Sequence, residues 1–375
     1  MCKIAIIHFQ PLELYPPVQN LIRFLEQDKS LEQLYVYSTY SSKDIPLFHV
    51  HDKRIKIIRL AETGQELQAV KRYWNYFKFY TGTLFHLVKK KAGRVLYFET
   101  LSSFPAVVYK KLYRKHVSLL VHYHEYTSPR EYETSMKLNR IFHQLEKKEF
   151  PEASWVSHTN QYRMDMFIRD MAPVKIPNTF ILPNYPPMAW KEKSNPHRIP
   201  TAVTKIIYAG AVSMDTMYTR EFADWVTAQN GKVIWDIYSL NITAAAADYL
   251  RALKPGFVNL KPGVTYEDLP GILCQYDVGV VLYKGHIPNY VYNAPNKIFE
   301  YLAAGLDVWF PDIMTGSKEY ITKQTYPKVM ALNFSELRSF DLLEAIQKKG
   351  FAFFQHDFFC ENILGKLREK LVADA

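Results

Sequence analysis

The sequence predicts an α/β protein built from two doubly wound, Rossmann-like domains. Short apolar runs of strand length alternate with longer amphipathic stretches, which is the pattern of a parallel sheet wrapped by helices. The chain has 375 residues, enough for about two domains of roughly 100–200 residues each. The alternation stops between Asn184 and Ala202, where turn-forming residues replace it, and then starts again.

The order of predicted elements is similar in the two halves. In the first half we expect strands at 3–9, 34–38, 55–60, 94–99, 117–123 and 155–158, and helices at 16–25, 68–91, 104–113, 131–149 and 161–170. In the second half we expect strands at 205–209, 233–238, 258–260, 278–283 and 308–310, and helices at 219–229, 244–253, 266–275, 297–304, 317–322 and 358–371. These elements predict an N-terminal domain over 1–187, a linker over 188–203, a C-terminal domain over 204–355, and a last helix within 356–375 that packs back on the first domain.

Charge is distributed unevenly between the two halves. Residues 1–190 contain 27 Lys and Arg against 17 Asp and Glu, which accounts for the whole net charge of +10, while residues 191–375 contain 20 of each. Segment 51–115 alone carries 15 basic and 4 acidic residues. This asymmetry predicts an anionic partner for the first domain.

Composition excludes several classes of protein. No apolar run reaches the roughly 18–20 residues that span a bilayer, and the N-terminal apolar stretch is too short for a signal peptide. Three scattered cysteines, Cys2, Cys274 and Cys360, fit neither a disulfide framework nor a metal site. We therefore expect a reduced, cytoplasmic protein.

Common nucleotide-binding and hydrolase motifs are absent from the sequence. Residues 10–14 (QPLEL) follow the first predicted strand without a glycine, and neither G-x-G-x-x-G nor a P-loop occurs. There is also no G-x-S-x-G elbow and no D-x-D pair. These absences count against dinucleotide oxidoreductases, P-loop NTPases and α/β-hydrolases. No recognised nucleic-acid-binding module accompanies the basic segment.

Three segments stand out because each follows a predicted strand, and open α/β sheets bind ligands at the carboxyl ends of their strands. The first is residues 122–126 (HYHEY), whose histidines and carboxylate suit hydrogen bonding to a polar substrate or proton transfer. The second is residues 181–186 (ILPNYP), just before the linker. Taken locally, both also fit structural roles, as buried histidines and as an interdomain turn.

The third segment, residues 293–309, is the most informative. A loop containing Pro295 and Asn296 opens a short helix, and a strand follows. The helix N-terminus offers N–H groups and a positive dipole end that suit phosphate, and Lys297 adds a charge in the first turn. Glu300 lies on the same helix face and can accept hydrogen bonds from vicinal hydroxyls. A capped structural helix with a solvated Lys297–Glu300 pair is the alternative interpretation.

Residues 295–308 resemble the P-x-K-[LI]-x-E-[YF]-x-A-x-G-x-x-V signature of retaining GT-B glycosyltransferases of glycosyltransferase family four. The order of the segments agrees, with His-x-His-Glu first, Leu-Pro-Asn next and the glutamate helix last. The resemblance covers about residues 3–310 and implies a GT-B fold with an interdomain cleft. It also implies metal-independent transfer of a hexose or related sugar from a nucleotide diphosphate to an acceptor hydroxyl with retention of configuration. Cell-surface polysaccharide or glycolipid biosynthesis is the expected setting.

The resemblance implies roles for individual residues of the second domain. Glu300 matches the glutamate that binds the ribose hydroxyls, and Lys297 with the amides around it would face the diphosphate. Lys297 and Arg220 would neutralise the leaving diphosphate. The other donor-binding candidates lie in loops that would approach the base and the phosphates, namely Gly210, Ala211, Lys261, Gly263, Val264, Lys284, Pro295, Asn296 and Ile298.

The resemblance also implies roles in the first domain. His124 matches the histidine that lies against the donor sugar, and Glu125 completes the predicted catalytic group. The candidates for acceptor binding are Gln10, Tyr15, His122 and Tyr126. Three features depart from the family pattern. Tyr292 stands where a glutamate is common, and residues 10–14 replace a glycine-rich turn. The basic pair common after the first strand of the second domain is not intact, with Arg220 as the nearest candidate and Lys284 as a replacement from another strand end.

Helix 68–91 combines aromatic and basic side chains, which suits either an interfacial helix on anionic lipid or a core helix with a solvated basic rim. The resemblance favours membrane contact, because many members of the family use lipid-linked acceptors. The expected partners are a nucleotide sugar donor, a glycan or lipid-linked acceptor, and an anionic membrane surface through 51–115. The protein would then be peripheral on the inner face of the membrane, with no cofactor and no nucleic acid.

Other functions remain open at the level of sequence. A sugar-nucleotide epimerase of similar two-domain architecture would use the same donor without an acceptor. A non-catalytic nucleotide-sugar-binding protein would explain Tyr292 and the missing glycine turn. A nucleic-acid-binding protein would rest on charge alone.

Overall fold

The computed structural model describes residues 3–43, 45–64, 67–113, 117–194, 202–253, 256–346 and 351–372. The chain divides into two compact units, the first formed by Met1–Asn184 with Cys360–Ala375 and the second by Tyr185–Phe359. Each unit has its own parallel sheet, with helices between most of the successive strands. The fold class predicted from the sequence is therefore confirmed.

The first unit has a seven-stranded sheet with the order β3-β2-β1-β4-β5-β6-β7, and all its strand pairs are parallel. Its strands are β1 (Lys3–His8), β2 (Gln33–Ser41), β3 (Ile55–Thr63), β4 (Arg94–Phe98), β5 (Ser118–Tyr123), β6 (Trp155–His158) and β7 (Thr179–Ile181). Its helices before the second unit are α1 (Pro16–Glu26), α2 (Ala69–Lys90), α3 (Ser103–Leu112), α4 (Pro129–Thr134), α5 (Lys137–Glu146) and α6 (Gln161–Met171).

The second unit has a six-stranded parallel sheet with the order β10-β9-β8-β11-β12-β14 and a separate two-stranded pair, β13-β15. Its strands are β8 (Thr204–Ala209), β9 (Val233–Ser239), β10 (Val258–Pro262), β11 (Val278–Val280), β12 (Asp307–Pro311), β13 (Thr325–Tyr326), β14 (Val329–Leu332) and β15 (Ala352–Phe353). Its helices are α7 (Thr219–Ala228), α8 (Ala244–Ala252), α9 (Leu269–Leu273), α10 (Pro288–Val291), α11 (Asn296–Ala303) and α12 (Leu342–Ile346).

Both large sheets reverse their strand order beside the first strand of the unit. Strand β1 lies between β2 and β4, and β8 lies between β9 and β11. The crevice outside the carboxyl ends of the strands at such a switch point is the usual ligand site of an open α/β sheet. The topology therefore gives each unit one edge where functional side chains are expected.

Close packing fixes α11 on the sheet of the second unit. Ile298, Phe299 and Tyr301 are buried on the inner face of this helix, and each such burial contributes about 1.5–3 kcal/mol. Gly279 of β11 lies directly under the Tyr301 ring, since a Cβ added to it would be 2.1 Å from that ring. A larger residue at 279 would push α11, and with it Lys297 and Glu300, away from the edge.

The last helix, α13 (Cys360–Val372), belongs to the first unit. Arg368 makes a two-armed ion pair with Asp28, which follows α1, with N···O distances of 2.6 and 3.0 Å. Arg94 Nη1 donates a hydrogen bond of 2.9 Å to the carbonyl oxygen of Leu371. The C-terminal segment thus completes the first unit after the chain has traversed the second.

Some predicted boundaries differ from the structure. The single helix expected over 131–149 is two helices, α4 and α5, because the chain is extended at Ser135, where φ is −76° and ψ is 179°. Strands β7 and β14 were not predicted, and the helix expected at 317–322 is a 3-10 helix over Thr315–Tyr320. Of the predicted linker 188–203, Met188–Lys193 forms a 3-10 helix within the second unit, while 195–201 lies outside the described residues.

Candidate functional site

Two of the predicted segments meet at the carboxyl edge of the first sheet. His122 lies near the end of β5, and its Nδ1 is 2.8 Å from Ser157 Oγ on the neighbouring β6. His122 Nε2 is 3.2 Å from His124 Nδ1, which is also 3.2 Å from Asn184 Oδ1. Segment 122–126 and the Leu-Pro-Asn sequence after β7 therefore form one hydrogen-bonded group.

The hydrogen bonds fix which imidazole nitrogens carry protons. Asn184 Oδ1 can only accept, so His124 Nδ1–H donates to it, and His122 is then protonated at Nδ1 and donates to Ser157 Oγ. His122 Nε2 is then an acceptor, and His124 Nδ1–H is the donor toward both His122 and Asn184. The remaining nitrogen, His124 Nε2, carries a lone pair and has no hydrogen-bond partner among the described residues.

Burial keeps these imidazoles neutral. Burial lowers the pKa of His122 to about 3, and it holds the pKa of His124 well below its usual range. A neutral imidazole can accept a hydrogen bond from a hydroxyl or face a positive charge, but it is a weak base at neutral pH. Of the two uses that the sequence suggested for this segment, the structure favours hydrogen bonding over proton transfer.

Two predicted acceptor-binding residues lie beside this group through His8, the last residue of β1. His8 Nδ1–H donates to the backbone oxygen of Gln10 over 2.8 Å, and the His8 ring is 4.3 Å from the Tyr15 ring. The Tyr15 and His124 ring centroids are 6.1 Å apart. Gln10, Tyr15, His122 and His124 are therefore brought together at the switch point of the first sheet.

Glu125 and Tyr126 occupy different environments. Glu125 is exposed, and its backbone N–H points to the carboxylate of Glu99 at 3.3 Å. Tyr126 is buried, and its hydroxyl donates a short hydrogen bond to Asp170 on α6. The Tyr126 hydroxyl is therefore engaged within the fold, and the predicted roles of both residues remain predictions.

The sequence did not single out three polar residues of this edge. They are His8, Glu99, which follows β4, and Arg163 on α6. Arg163 Nη1 donates to the backbone oxygen of His124 over 2.6 Å and so supports the loop that carries this histidine after β5. His8 and Glu99 could have been found by the rule that selected His122, because each lies at or next to the end of a strand. Arg163 is placed by a nonlocal hydrogen bond that no local pattern reveals.

In the second unit, the third predicted segment meets the turn after β8. Gly210 has a φ of +146°, and a Cβ added there would lie 2.8 Å from both Cε and Nζ of Lys297. The ammonium group of Lys297 also lies 5.5 Å from the centroid of the Tyr208 ring. A cation thus lies against a glycine turn at the switch point, which is an arrangement that suits a phosphate group.

Glu300 supplies a buried carboxylate one turn further along α11. Its Oε1 accepts a hydrogen bond of 2.6 Å from the side-chain amide of Asn296, and only 4% of the residue is exposed. Burial raises the pKa of this carboxyl, while Lys297 and the Asn296 amide oppose the rise. Pro295 precedes the helix as its N-cap. The Ile298 side chain is fully buried in the core, so only its backbone is available for a ligand.

The end of β10, which includes Lys261, and the loop after it hold the next group of donor-binding candidates. Lys261 lies 3.7 Å from Asp236, whose carboxylate also accepts from Tyr276 and Asn259 at 2.7 Å each. Gly263 packs against Leu240, since an added Cβ would be 2.3 Å from that side chain. Val264 is half-buried beside the hydrophobic core of the unit. This close packing leaves the backbone of the loop at the edge of the sheet.

The remaining candidates of the second unit have partners of their own. Lys284 lies 3.2 Å from both Glu221 Oε1 and the carbonyl oxygen of Met214. Arg220 is exposed on the first turn of α7, and its guanidinium stacks on the Tyr249 ring at 4.3 Å. The Ala211 carbonyl accepts from the Tyr208 hydroxyl at 2.7 Å. Lys297 is therefore the predicted cation that lies against Gly210, while Lys284 contacts Met214 further along the same segment.

Comparisons with solved structures identify proteins of the same fold. A sucrose-phosphate synthase from Thermosynechococcus elongatus has a TM-score of 0.57 at 14% identity, covering 83% of this chain and 82% of the other. A lipopolysaccharide outer core galactosyltransferase has a TM-score of 0.59 at 13% identity, covering 96% and 94%. A UDP-GlcNAc 2-epimerase from Methanocaldococcus jannaschii has a TM-score of 0.58 at 9% identity, covering 99% and 100%.

Sequence comparisons gave no further assignment, since neither a protein-family model nor a curated protein matched the chain. Identities of 9–14% establish a common fold and no common activity. The chain has the two Rossmann-like domains of the GT-B fold. The structures that it resembles include both glycosyltransferases and a 2-epimerase.

Proposed function

We propose that the protein is a glycosyltransferase that moves a sugar from a nucleotide diphosphate sugar to an acceptor hydroxyl. The arrangement of Lys297, Gly210 and Glu300 carries this proposal. It combines a cation against a glycine turn, which suits the diphosphate, with a buried carboxylate that can accept hydrogen bonds from ribose hydroxyls. We further propose family four membership, retention of configuration and a role in cell-surface polysaccharide or glycolipid biosynthesis, on the strength of the signature at 295–308.

The proposed chemistry needs no redox cofactor. As the bond between the sugar and the diphosphate breaks, negative charge grows on the diphosphate, and Lys297 at the N-terminus of α11 stabilises it. Arg220 would add to this effect after leaving the Tyr249 ring. The lone pair on His124 Nε2 would face the positive charge that develops on the sugar. We therefore propose that these groups neutralise the leaving diphosphate without a metal ion.

Donor binding gives the direct test. Thermal-shift screening against UDP-, GDP-, ADP- and dTDP-sugars should identify a donor, and calorimetry should then measure its affinity. Lys297→Ala and Glu300→Ala should each weaken binding by roughly tenfold or more, because each removes a charged hydrogen-bonding partner. Lys318→Ala and Glu319→Ala, two exposed residues of the same unit, serve as matched controls. Unchanged affinity in the first two variants would refute the assignment of the site.

A sugar-nucleotide epimerase is the second candidate, favoured by the match to the UDP-GlcNAc 2-epimerase over the full length of both chains. The two functions differ in their products. A transferase releases the nucleotide diphosphate in proportion to an added acceptor, whereas an epimerase converts the sugar without one. Product analysis with and without an acceptor distinguishes them. Binding without either product would indicate a nucleotide-sugar-binding protein.

We also propose that α2 contacts an anionic membrane. Its inner face is buried in the core, through Tyr76, Phe79, Tyr80 and Leu87 among others. Its outer face exposes apolar side chains at helical spacing, which are Val70 (82%), Tyr73 (63%), Trp74 (54%), Phe77 (56%) and Phe85 (63%). Lys78 and Lys89 lie 5.6 and 5.9 Å from the rings of Trp74 and Phe85. Exposed aromatics beside cations are typical of an interfacial helix.

Among the described residues, no helix is both long and apolar enough to cross a bilayer.

A further inference from the structure

Glu99 has a backbone conformation that is rare for any residue except glycine. It follows β4 at the switch point of the first sheet, and its φ and ψ are 62° and 156°. Side chains with a Cβ are strained in this region, so surrounding contacts must hold it. A glycine would close the same turn with less strain. Since closing the turn does not require a side chain at this position, we infer that the strained conformation serves to place the Glu99 carboxylate at this edge of the sheet.

Hydrogen bonds to the neighbouring strand hold Glu99 in place. Its backbone N–H donates to the His122 carbonyl over 3.1 Å, and its Oε1 accepts from the backbone N–H groups of His124 at 2.6 Å and Glu125 at 3.3 Å. The side chain is half-buried, and Oε2 has no hydrogen-bond partner within the described part of the chain. One carboxylate oxygen is thus fixed and the other is available beside the predicted acceptor residues.

Glu99 is also the group of this edge that titrates near neutral pH. Burial, reinforced by the negative charge of Glu125, raises the pKa of Glu99 to about 8, although its amide hydrogen bonds and Arg163 oppose the rise. Burial holds the pKa of the surrounding histidines far below 7; these are His8, His122 and His124. Burial raises the pKa of the facing tyrosines, Tyr15 and Tyr132, well above 10. Neither set exchanges a proton near pH 7.

We propose that Glu99 Oε2 accepts the proton of the acceptor hydroxyl during sugar transfer. The O–H bond of the acceptor breaks and its proton passes to Oε2, while the acceptor oxygen forms a bond to the anomeric carbon. The bond from that carbon to the diphosphate oxygen breaks on the same face of the sugar, which retains the configuration, and its electron pair leaves with the diphosphate. Glu99 then returns the proton to water. This role rests on the proposed transferase function and adds the group that activates the acceptor.

Glu99→Gln tests the proposal, because glutamine keeps an oxygen for the two backbone amides and loses the basic oxygen. The donor probes are UDP-glucose, UDP-N-acetylglucosamine, GDP-mannose and ADP-glucose, with octyl β-D-glucoside or water as acceptor. Release of the nucleotide diphosphate should fall by roughly 100-fold or more in the variant. The thermal shift caused by the donor should stay as in the wild type. Glu133→Gln, an exposed residue of α4, is the matched control and should match the wild type.

The pH dependence of the wild type gives a second measurement that needs no variant. Its kcat/KM should rise with pH along a limb near pH 8, as expected if ionised Glu99 is the base. Thermal stability separates loss of the base from damage to the fold, because a damaged fold would be less stable than the wild type and Glu99→Gln should be more stable. Because folding raises the pKa of Glu99 from about 4.5 to about 8, the folded protein keeps a proton that the unfolded chain releases, so the wild type loses stability as pH rises through this range. Glu99→Gln should therefore gain thermal stability relative to the wild type over that range.

The outcomes separate this proposal from the proposed function. If Glu99→Gln turns over at the wild-type rate, or if the wild type shows no limb near pH 8, this proposal is wrong while the donor shift still supports a transferase. If the wild type gives neither a thermal shift nor nucleotide release with any of the donors, the proposed function fails and this proposal fails with it. If Glu99→Gln and the wild type change in stability with pH to the same extent and turn over at the same rate, Glu99 only closes the turn.

Discussion

Lys297 and Gly210 touch in the second unit, because residue 210 has no side chain. The φ of Gly210 is +146°, and an added Cβ would come within 2.8 Å of Lys297 Nζ. A side chain at position 210 would therefore displace the end of the Lys297 side chain from the turn after β8, in addition to straining the backbone. The contact between Lys297 and Gly210 places a cation beside backbone amides at the carboxyl edge of the sheet.

Gly210→Ala should harm both stability and donor binding. The backbone strain should lower the free energy of unfolding by about 1–3 kcal/mol, and displacement of Lys297 should weaken donor binding roughly tenfold. Urea unfolding and calorimetry measure the two effects. Gly256→Ala is the matched control, because Gly256 has a φ of +99° and no described atom within 4 Å of an added Cβ. It should lose stability and keep donor affinity; equal affinity in both variants would contradict the proposed position of Lys297.

The fold was predictable from the sequence wherever apolar runs were long enough to show a period. Strands such as β1, β4 and β8 are buried along nearly their whole length and were predicted within one residue at their starts. Strands β7 and β14 have three and four residues and are only partly buried, so they gave no periodic signal. The break between α4 and α5 depends on the extended conformation of Ser135, which no apolar pattern encodes.

The candidate site was predictable only in part, for a related reason. The segments at 122–126 and 293–309 lie at strand ends, so topology alone brought them to the edges of the two sheets. Which side chains face a ligand depends on contacts between distant residues. Arg220 and Lys284 have the expected charge, yet Tyr249 and Glu221 engage them. The conformation of Glu99 follows from hydrogen bonds to a neighbouring strand and left no trace in the local sequence.

Acid should destabilise the first unit through its buried histidines. Burial lowers the pKa of His8 from about 6.5 to about 4. As pH falls below about 6.5, the unfolded chain binds a proton that the folded chain does not bind until about pH 4, so stability is lost over this window. His8→Phe should reduce the slope of unfolding free energy against pH by up to about 1.4 kcal/mol per pH unit. Urea unfolding at a series of pH values checks this, and an unchanged slope would contradict the buried neutral state of His8.

Lys110 forms a buried ion pair whose disruption should be costly. Its ammonium lies 3.0 Å from Glu149 Oε2 and 3.0 Å from Glu152 Oε2, and the side chains of Lys110 and Glu149 are 4% and 5% exposed. Lys110→Met leaves the Glu149 carboxylate buried without its cation, so stability should fall by about 3–5 kcal/mol. The exposed neighbour Lys111→Met should change it by less than about 0.5 kcal/mol.

A double variant separates loss of the pair from loss of packing at this position. Lys110→Met with Glu149→Leu removes both buried charges and should recover most of the stability, because an apolar pair of similar volume often replaces a buried ion pair at little cost. Denaturant unfolding of all the variants gives the comparison. If the double variant is as unstable as Lys110→Met alone, the effect arises from packing and the electrostatic explanation is wrong.

The outer face of α2 should control binding to anionic membranes. Trp74 and Phe77 stack at 5.4 Å and are 54% and 56% exposed, so a bilayer interface can take up both rings together. The wild type should sediment with phosphatidylglycerol-containing vesicles more than with phosphatidylcholine vesicles, and salt should weaken the difference. Trp74→Ser with Phe77→Ser should reduce binding roughly tenfold or more, since each ring buried in lipid contributes about 1.5–3 kcal/mol at most. Leu343→Ser, which removes a side chain that is 76% exposed in the second unit, is the matched control. If it loses as much binding, or if the wild type binds both vesicles equally, α2 is not the membrane-binding surface and its aromatic face must serve another contact.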